Sequence, residues 1–107
     1  MQIRFGLCAW LIVGLWPVVV LADVPVARQQ ALRHLLAQDC GSCHGLTLQG
    51  GLGPALTRAA LAGKSPEMLR AVILYGRPGT PMAPWQPFMS EAEAVWLVQQ
   101  LLEGKAL

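Results

Sequence analysis

Apolar positions change their rhythm several times along this chain, and each change marks an element. Between Phe5 and about Val20 they are nearly continuous, broken by Gly6, Gly14 and Pro17. From Ala27 to about Gln38 they recur at three- and four-residue steps as Ala27, Ala31, Leu32, Leu35 and Leu36, the stripe of an amphipathic helix. The stretch from Gly45 to Lys64 loses the rhythm around Gly50-Gly51-Leu52-Gly53-Pro54 and reads as loop, with room for a short helical turn near Arg58 to Ala62. Ser65-Pro66-Glu67 then supplies a cap, a proline for the first helical position and an acid for the first turn. The helix it opens turns Leu69, Val72 and Ile73 inward and stops at Gly76. Four prolines and a glycine between Arg77 and Met89 forbid regular helix there. Ser90-Glu91-Ala92-Glu93 is a capping box, and the helix behind it buries Ala94, Leu97, Val98, Leu101 and Leu102 before ending at Gly104. No stretch alternates as a strand would. The expected class is all-α: three to four helices with long ordered loops, no repeats and no interdomain linker.

The continuous apolar run has a different meaning. Arg4 before it and Val20-Leu21-Ala22 after it make a charged n-region, an h-region and a cleavage site, so residues 1–22 read as a signal peptide. The rival is an uncleaved anchor, since a spanning helix needs about 20 apolar residues. Either way residues 23–107 lie beyond the inner membrane, and the expected compartment is a bacterial periplasm. Cys8 lies within the signal and follows a poor lipoprotein box. Losing Arg4 takes one unit from the formal net charge of +2, leaving a balance that implies no polyanionic partner. The two remaining cysteines fall within one motif, which leaves none for a structural disulfide.

That motif is Cys40-Gly41-Ser42-Cys43-His44. A C-x-x-C-H run is the attachment signature of c-type haem. Its thiols reach the two vinyl groups of one porphyrin, and the histidine falls beneath the iron as proximal ligand. A domain this small rarely stabilises itself by core burial alone; a covalent apolar disc supplies what is missing. Two other chemistries share part of the pattern. A thiol-disulfide oxidoreductase also places C-x-x-C at a helix start, but needs a strand before it, and none is legible. A zinc site would lack its fourth ligand. The opposite face of the iron has four candidates in Met68, Met82, Met89 and His34. His34 sits off the apolar stripe, and Met68 and Met89 stand at helix starts as packing residues. Met82 lies in the proline-stiffened loop Gly79-Thr80-Pro81-Met82-Ala83-Pro84-Trp85, which presents a thioether at little ordering cost.

Taken in order, Cys40-Gly41-Ser42-Cys43-His44, Gly53-Pro54-Ala55-Leu56 and Pro81-Met82 between two helices resemble a class I cytochrome c, over Ala27 to Leu102. That resemblance implies a hydrogen bond from the Nδ1 proton of His44 to the carbonyl of Pro54, which fixes the imidazole plane. It also implies one haem c, bound covalently through Cys40 and Cys43 with His44 and Met82 on the iron. Leu46 to Leu56, with Gly76 to Met82 and Trp85, is more narrowly similar to the NirC-type cytochromes encoded with cytochrome cd nitrite reductase. One departure stands out: where the family carries an aromatic before a leucine near the end of its last helix, this chain has Gln100-Leu101. Trp96, one turn earlier on the same face, is the expected substitute in the contact between first and last helices.

The resemblance implies a one-electron carrier, not an enzyme. Its expected redox partners are the nitrite reductase or a d-type haem biogenesis enzyme, reached through brief docking on a small patch. Lys64, Arg70 and Arg77 are candidates for the rim of that patch. Trp85 and Arg77 are candidates for holding a haem propionate. The competing reading is a five-coordinate sensor or peroxidase-like protein in which Met82 leaves the iron open. Carbon monoxide binding to the reduced protein separates the two.

Overall fold

The computed structural model describes residues 23–107 together with Gly14 and Pro17; the rest of the expected signal peptide lies outside the described residues. After an extended lead-in, α1 runs over Val26–Leu35. The helix does not stop there. It continues as a single π turn over Leu36–Cys40 and then as the short α2, Gly41–His44, with helical dihedrals at each junction. The periodicity predicted a helix as far as about Gln38, and the helical path carries on to His44.

The two later long helices start where their caps predict, and the short turn expected near Arg58 starts behind a threonine cap. In α3, Arg58–Leu61, Thr57 Oγ1 accepts the Ala60 amide at 3.2 Å. Ser65 Oγ accepts the Met68 amide at 3.2 Å and opens α4, Pro66–Tyr75. Ser90 and Glu93 form the reciprocal capping box of α5, Glu91–Glu103, which ends on a left-handed Gly104. The proline-rich stretch before α5 holds one 3₁₀ turn, Gln86–Phe88. Among the described residues there is no strand, and no helix is long and apolar enough to cross a membrane.

The core lies between the long helices. Leu32 and Leu36 from the first, Leu74 from α4 and Leu97 from α5 are its largest fully buried side chains. Of the positions expected inward on α4, Leu69, Val72 and Ile73 are half-buried, whereas the unpredicted Leu74 is fully buried. On the first helix, Ala27 and Ala31 remain exposed and the burial narrows to Leu32 of α1 and Leu36 of the π turn, with Leu35 half-buried.

Two polar clasps tie the first helix to the last. At one end Arg28 Nε donates to Glu93 Oε1 at 2.8 Å, and its Nη2 reaches Glu93 Oε2 at 3.0 Å and the Phe88 carbonyl at 2.8 Å. At the other, the Arg33 guanidinium lies 5.1 Å from the Trp96 ring centroid and donates to Gln100 Oε1 at 2.7 Å and to the Lys105 carbonyl. Trp96 thus joins the contact expected of it. Gln100, standing where the family carries an aromatic, receives a hydrogen bond from Arg33.

Candidate functional site

Cys40 and Cys43 are one helical turn apart, so both thiols project from the same side of the chain. Both are half-buried and unpaired. Ser42 Oγ donates to the Asp39 carbonyl at 2.7 Å, bonding a backbone group of the π turn. Burial, reinforced by the neighbouring Asp39 charge, pushes the Cys40 thiol up to about 11. A disulfide-exchange cysteine needs a thiol pushed down towards the thiolate. The raised Cys40 thiol is the opposite of what that chemistry asks for.

His44 closes α2, and the chain folds back beneath it. The Gly50 amide donates to the His44 carbonyl at 2.7 Å and the Gly53 amide to the Cys43 carbonyl at 2.8 Å, satisfying two carbonyls that a helix end leaves free. Leu48 is buried within this loop at a φ of 59°, bonding the Gly45 carbonyl through its amide and the Leu56 amide through its carbonyl, both at 2.8 Å. The fold-back delivers Gly53-Pro54 to the imidazole. His44 Nδ1 lies 2.7 Å from the Pro54 carbonyl oxygen. A carbonyl can only accept, so Nδ1 carries the proton and the lone pair resides on Nε2.

The other candidate ligands separate by environment. Met89 is spent in the core at 6% exposure, His34 is exposed on α1, and Met68 is exposed in the first turn of α4. Met82 is half-buried in the loop after α4. That loop is closed by the Arg77 amide on the Met82 carbonyl at 3.1 Å and by the Trp85 amide on the Ile73 carbonyl at 3.0 Å. The half-buried Trp85 packs against the core, its ring 5.5 Å from that of Phe88. Of the three basic residues expected at a docking rim, Arg70 is paired with Glu91 at 3.0 Å, while Lys64 and Arg77 are exposed.

Sequence reasoning missed two features. The buried Leu48 sits in a polar, glycine-rich stretch with no periodicity to single it out. The hydroxyl of Thr80 donates to the Arg77 carbonyl at 2.7 Å and accepts the Met82 amide at 3.3 Å, and the threonine two residues before the methionine was its sole signal.

These residues fit a covalent haem: two free thiols a turn apart, beside an imidazole locked with Nε2 available. They do not fit a bare metal ion, since no three His, Cys, Asp or Glu side chains converge on one point among the described residues.

Comparisons with known proteins agree. The family model described as cytochrome c oxidase, cbb3-type, subunit III matches residues 27–100. Cytochrome c55X of Pseudomonas aeruginosa is 63% identical over 91 residues, 83% of this chain and 76% of that protein. The solved structure of a c-type cytochrome NirC superposes with a TM-score of 0.77 at 59% identity, covering 78% of this chain and 98% of that one. A structure of the dihydro-heme d1 dehydrogenase NirN in complex with DHE superposes with a TM-score of 0.60 at 40% identity; 64% of this chain corresponds to 15% of that one. An all-helical fold, a C-x-x-C-H motif on a helix end and these likenesses have one common reading: the chain belongs to the c-type cytochromes of the cytochrome c55X, NirC-type group, small electron carriers whose family implies a covalent haem c.

Proposed function

We propose that this cytochrome carries single electrons in the periplasm, exchanging them with the system that reduces nitrite or matures its d-type haem. In this reading residues 1–22 are cleaved as a signal peptide and 23–107 form the working domain. Cys40 and Cys43 would hold the haem as thioethers, and His44 Nε2 and Met82 Sδ would be the ligands of its iron. When bound, the haem supplies a reversible one-electron couple. The Pro54 carbonyl keeps the His44 ring in one plane and raises its basicity through Nδ1. Arg77 and Trp85, on either side of Met82, serve the haem propionates. Were His44 and Met82 both to bind the iron, no position would be left for a substrate, which is the arrangement of a carrier.

The observation that carries the pathway assignment is the likeness to part of a dihydro-heme d1 dehydrogenase, alongside that to NirC. A domain of this kind, built into an enzyme that must dispose of electrons, points to a freestanding counterpart in the same exchange. The test is stopped-flow mixing of the oxidised holoprotein with that dehydrogenase during turnover, and of the reduced holoprotein with cytochrome cd nitrite reductase. At least one rate should exceed those of unrelated periplasmic redox proteins by about tenfold, the margin that complementary docking surfaces give. Equal rates throughout would remove the pathway and leave the carrier. Mass spectrometry of the exported protein should find Asp23 at its N-terminus.

A further inference from the structure

The loop that presents Met82 is gripped on both sides of that residue's Cα, and the two grips differ in kind. On the carbonyl side the grip is backbone. Gly76 ends α4 with a φ of 70°, and a Cβ there would stand 2.6 Å from the Met82 carbonyl oxygen, so the chain passes too close for a side chain. The Arg77 amide donates to the same oxygen at 3.1 Å. On the amide side the grip is one side-chain hydroxyl. Thr80 Oγ1 donates to the Arg77 carbonyl at 2.7 Å and accepts the Met82 amide at 3.3 Å.

A hydroxyl has one proton and two lone pairs. With the proton committed to Arg77, a lone pair remains for Met82, so the bridge has a fixed direction. The Arg77 carbonyl also accepts the Thr80 amide at 3.1 Å, so what the hydroxyl alone supplies is the acceptor for the Met82 amide. Pro81 holds its own φ near −65° between Thr80 and Met82. The β-branched Thr80 side chain has little χ1 freedom to waste. Removing the hydroxyl leaves the Met82 amide without this partner and lets the residue pivot on its carbonyl side.

We infer that Thr80 is a positioning residue for Met82: its hydroxyl, bridging the Arg77 carbonyl and the Met82 amide, sets how firmly the thioether holds its place opposite His44. This rests on the reading of Met82 as the second axial ligand.

The experiment follows imidazole binding to the ferric holoprotein by stopped flow, where departure of the thioether limits the rate. Thr80→Val keeps the shape and removes the hydroxyl; Thr80→Ser keeps the hydroxyl. Imidazole should bind T80V about tenfold faster than the parent and T80S within about twofold, the difference expected for losing or keeping one hydrogen bond. Thr80→Ala repeats the measurement should T80V yield no holoprotein. Met82→Ala sets the scale, because its distal side is open by construction. If M82A binds imidazole no faster than the parent, the ligand reading fails and takes the inference with it. If M82A is open while T80V and T80A track the parent, or if T80S is as fast as T80V, the hydroxyl has no such role.

Discussion

At the scale of single residues, the site depends on how closely backbone approaches the imidazole. A Cβ built on Gly53 would stand 2.9 Å from both Nδ1 and Cε1 of His44 and 3.4 Å from Cγ. The ring therefore rests on the Gly53 backbone while Nδ1 bonds the next residue's carbonyl. Gly53→Ala must tilt the ring and stretch the 2.7 Å bond to Pro54. That bond lends basicity to the ligand and so favours oxidised iron. Its loss should raise the reduction potential of the holoprotein by some tens of millivolts, against about 59 mV for a tenfold change in a one-electron equilibrium. A redox titration finding the parent value in G53A would mean that the ring is held by something else. This dependence was half legible in the sequence. Cysteine spacing announced the chemistry, because covalent attachment demands two thiols at that interval, whereas Pro54 as the partner of His44 was implied only by the resemblance to class I cytochromes c. That Gly53 itself serves as a floor for the ring follows from the fold-back of the loop. Leu48 was hidden for the same reason, since its burial is created by hydrogen bonds to Gly45 and Leu56 rather than by any hydrophobic stripe.

At the scale of elements, the joint between α1 and α5 decides stability at low pH. Glu93 is both the third residue of the α5 capping box and the partner of Arg28, with its side chain 19% exposed. The Arg28 hydrogen bonds hold its carboxyl below the ordinary glutamate value, burial pulls the other way, and the Ser90 amide adds to the lowering. A carboxyl lowered by folding stabilises the native state fully above its unfolded value, and that contribution fades as pH falls through the lowered one. Urea titrations should therefore show the parent weakening on the acid side. Glu93→Gln should cost about 1–2 kcal/mol at neutral pH, as expected for a partly buried charge-assisted bond, and flatten the acid limb. An E93Q protein with an unchanged acid limb would place that pH dependence elsewhere. The opposite end of the same interface rests on Arg33 between Trp96 and Gln100. Removing Arg33 and Trp96 together should cost less than the sum of the separate losses, by roughly 0.5–1 kcal/mol for a cation over an aromatic face. Here the sequence was legible in its punctuation: Ser65, Ser90, Gly76 and Gly104 start or stop helices where their side chains and φ values require it. The π turn was not legible. It inserts one residue between the Leu32–Leu36 stripe and the thiols, rotating the motif by roughly 100° about the helix axis, and hydropathy records no such step.

For the whole molecule, the question is what the polypeptide keeps without its prosthetic group. The largest fully buried side chains come from the first helix, α4 and α5 and belong to one core cluster, in which α4 packs on α5 and the first helix is clasped to α5 through Arg28 and Arg33. The two stretches that complete the site are different. Residues 45–57 place Leu48 in the core but leave Leu46 and Leu52 at 71% and 78% exposure, and their form depends on backbone hydrogen bonds beside His44. Residues 76–89 place Met89 inside and leave Phe88 at 62% exposure. Segments with few buried apolar contacts and solvent-facing backbone bonds open at low free energy. A Cys40→Ala, Cys43→Ala double variant removes both thioether anchors and changes neither stretch. Purified without haem, it should retain helical circular dichroism from α1, α4 and α5, yet be cut by a low concentration of protease first within 45–57 and 76–89. If His44 and Met82 bind the haem as proposed, the holoprotein should resist at both places, because the two loops would then be tied to a common group. Cleavage of the double variant first inside α1 or α5 would show that the helical core itself depends on haem. Equal resistance of the two proteins would show that the loops hold their form by hydrogen bonding alone, with Met82 in place before any iron arrives.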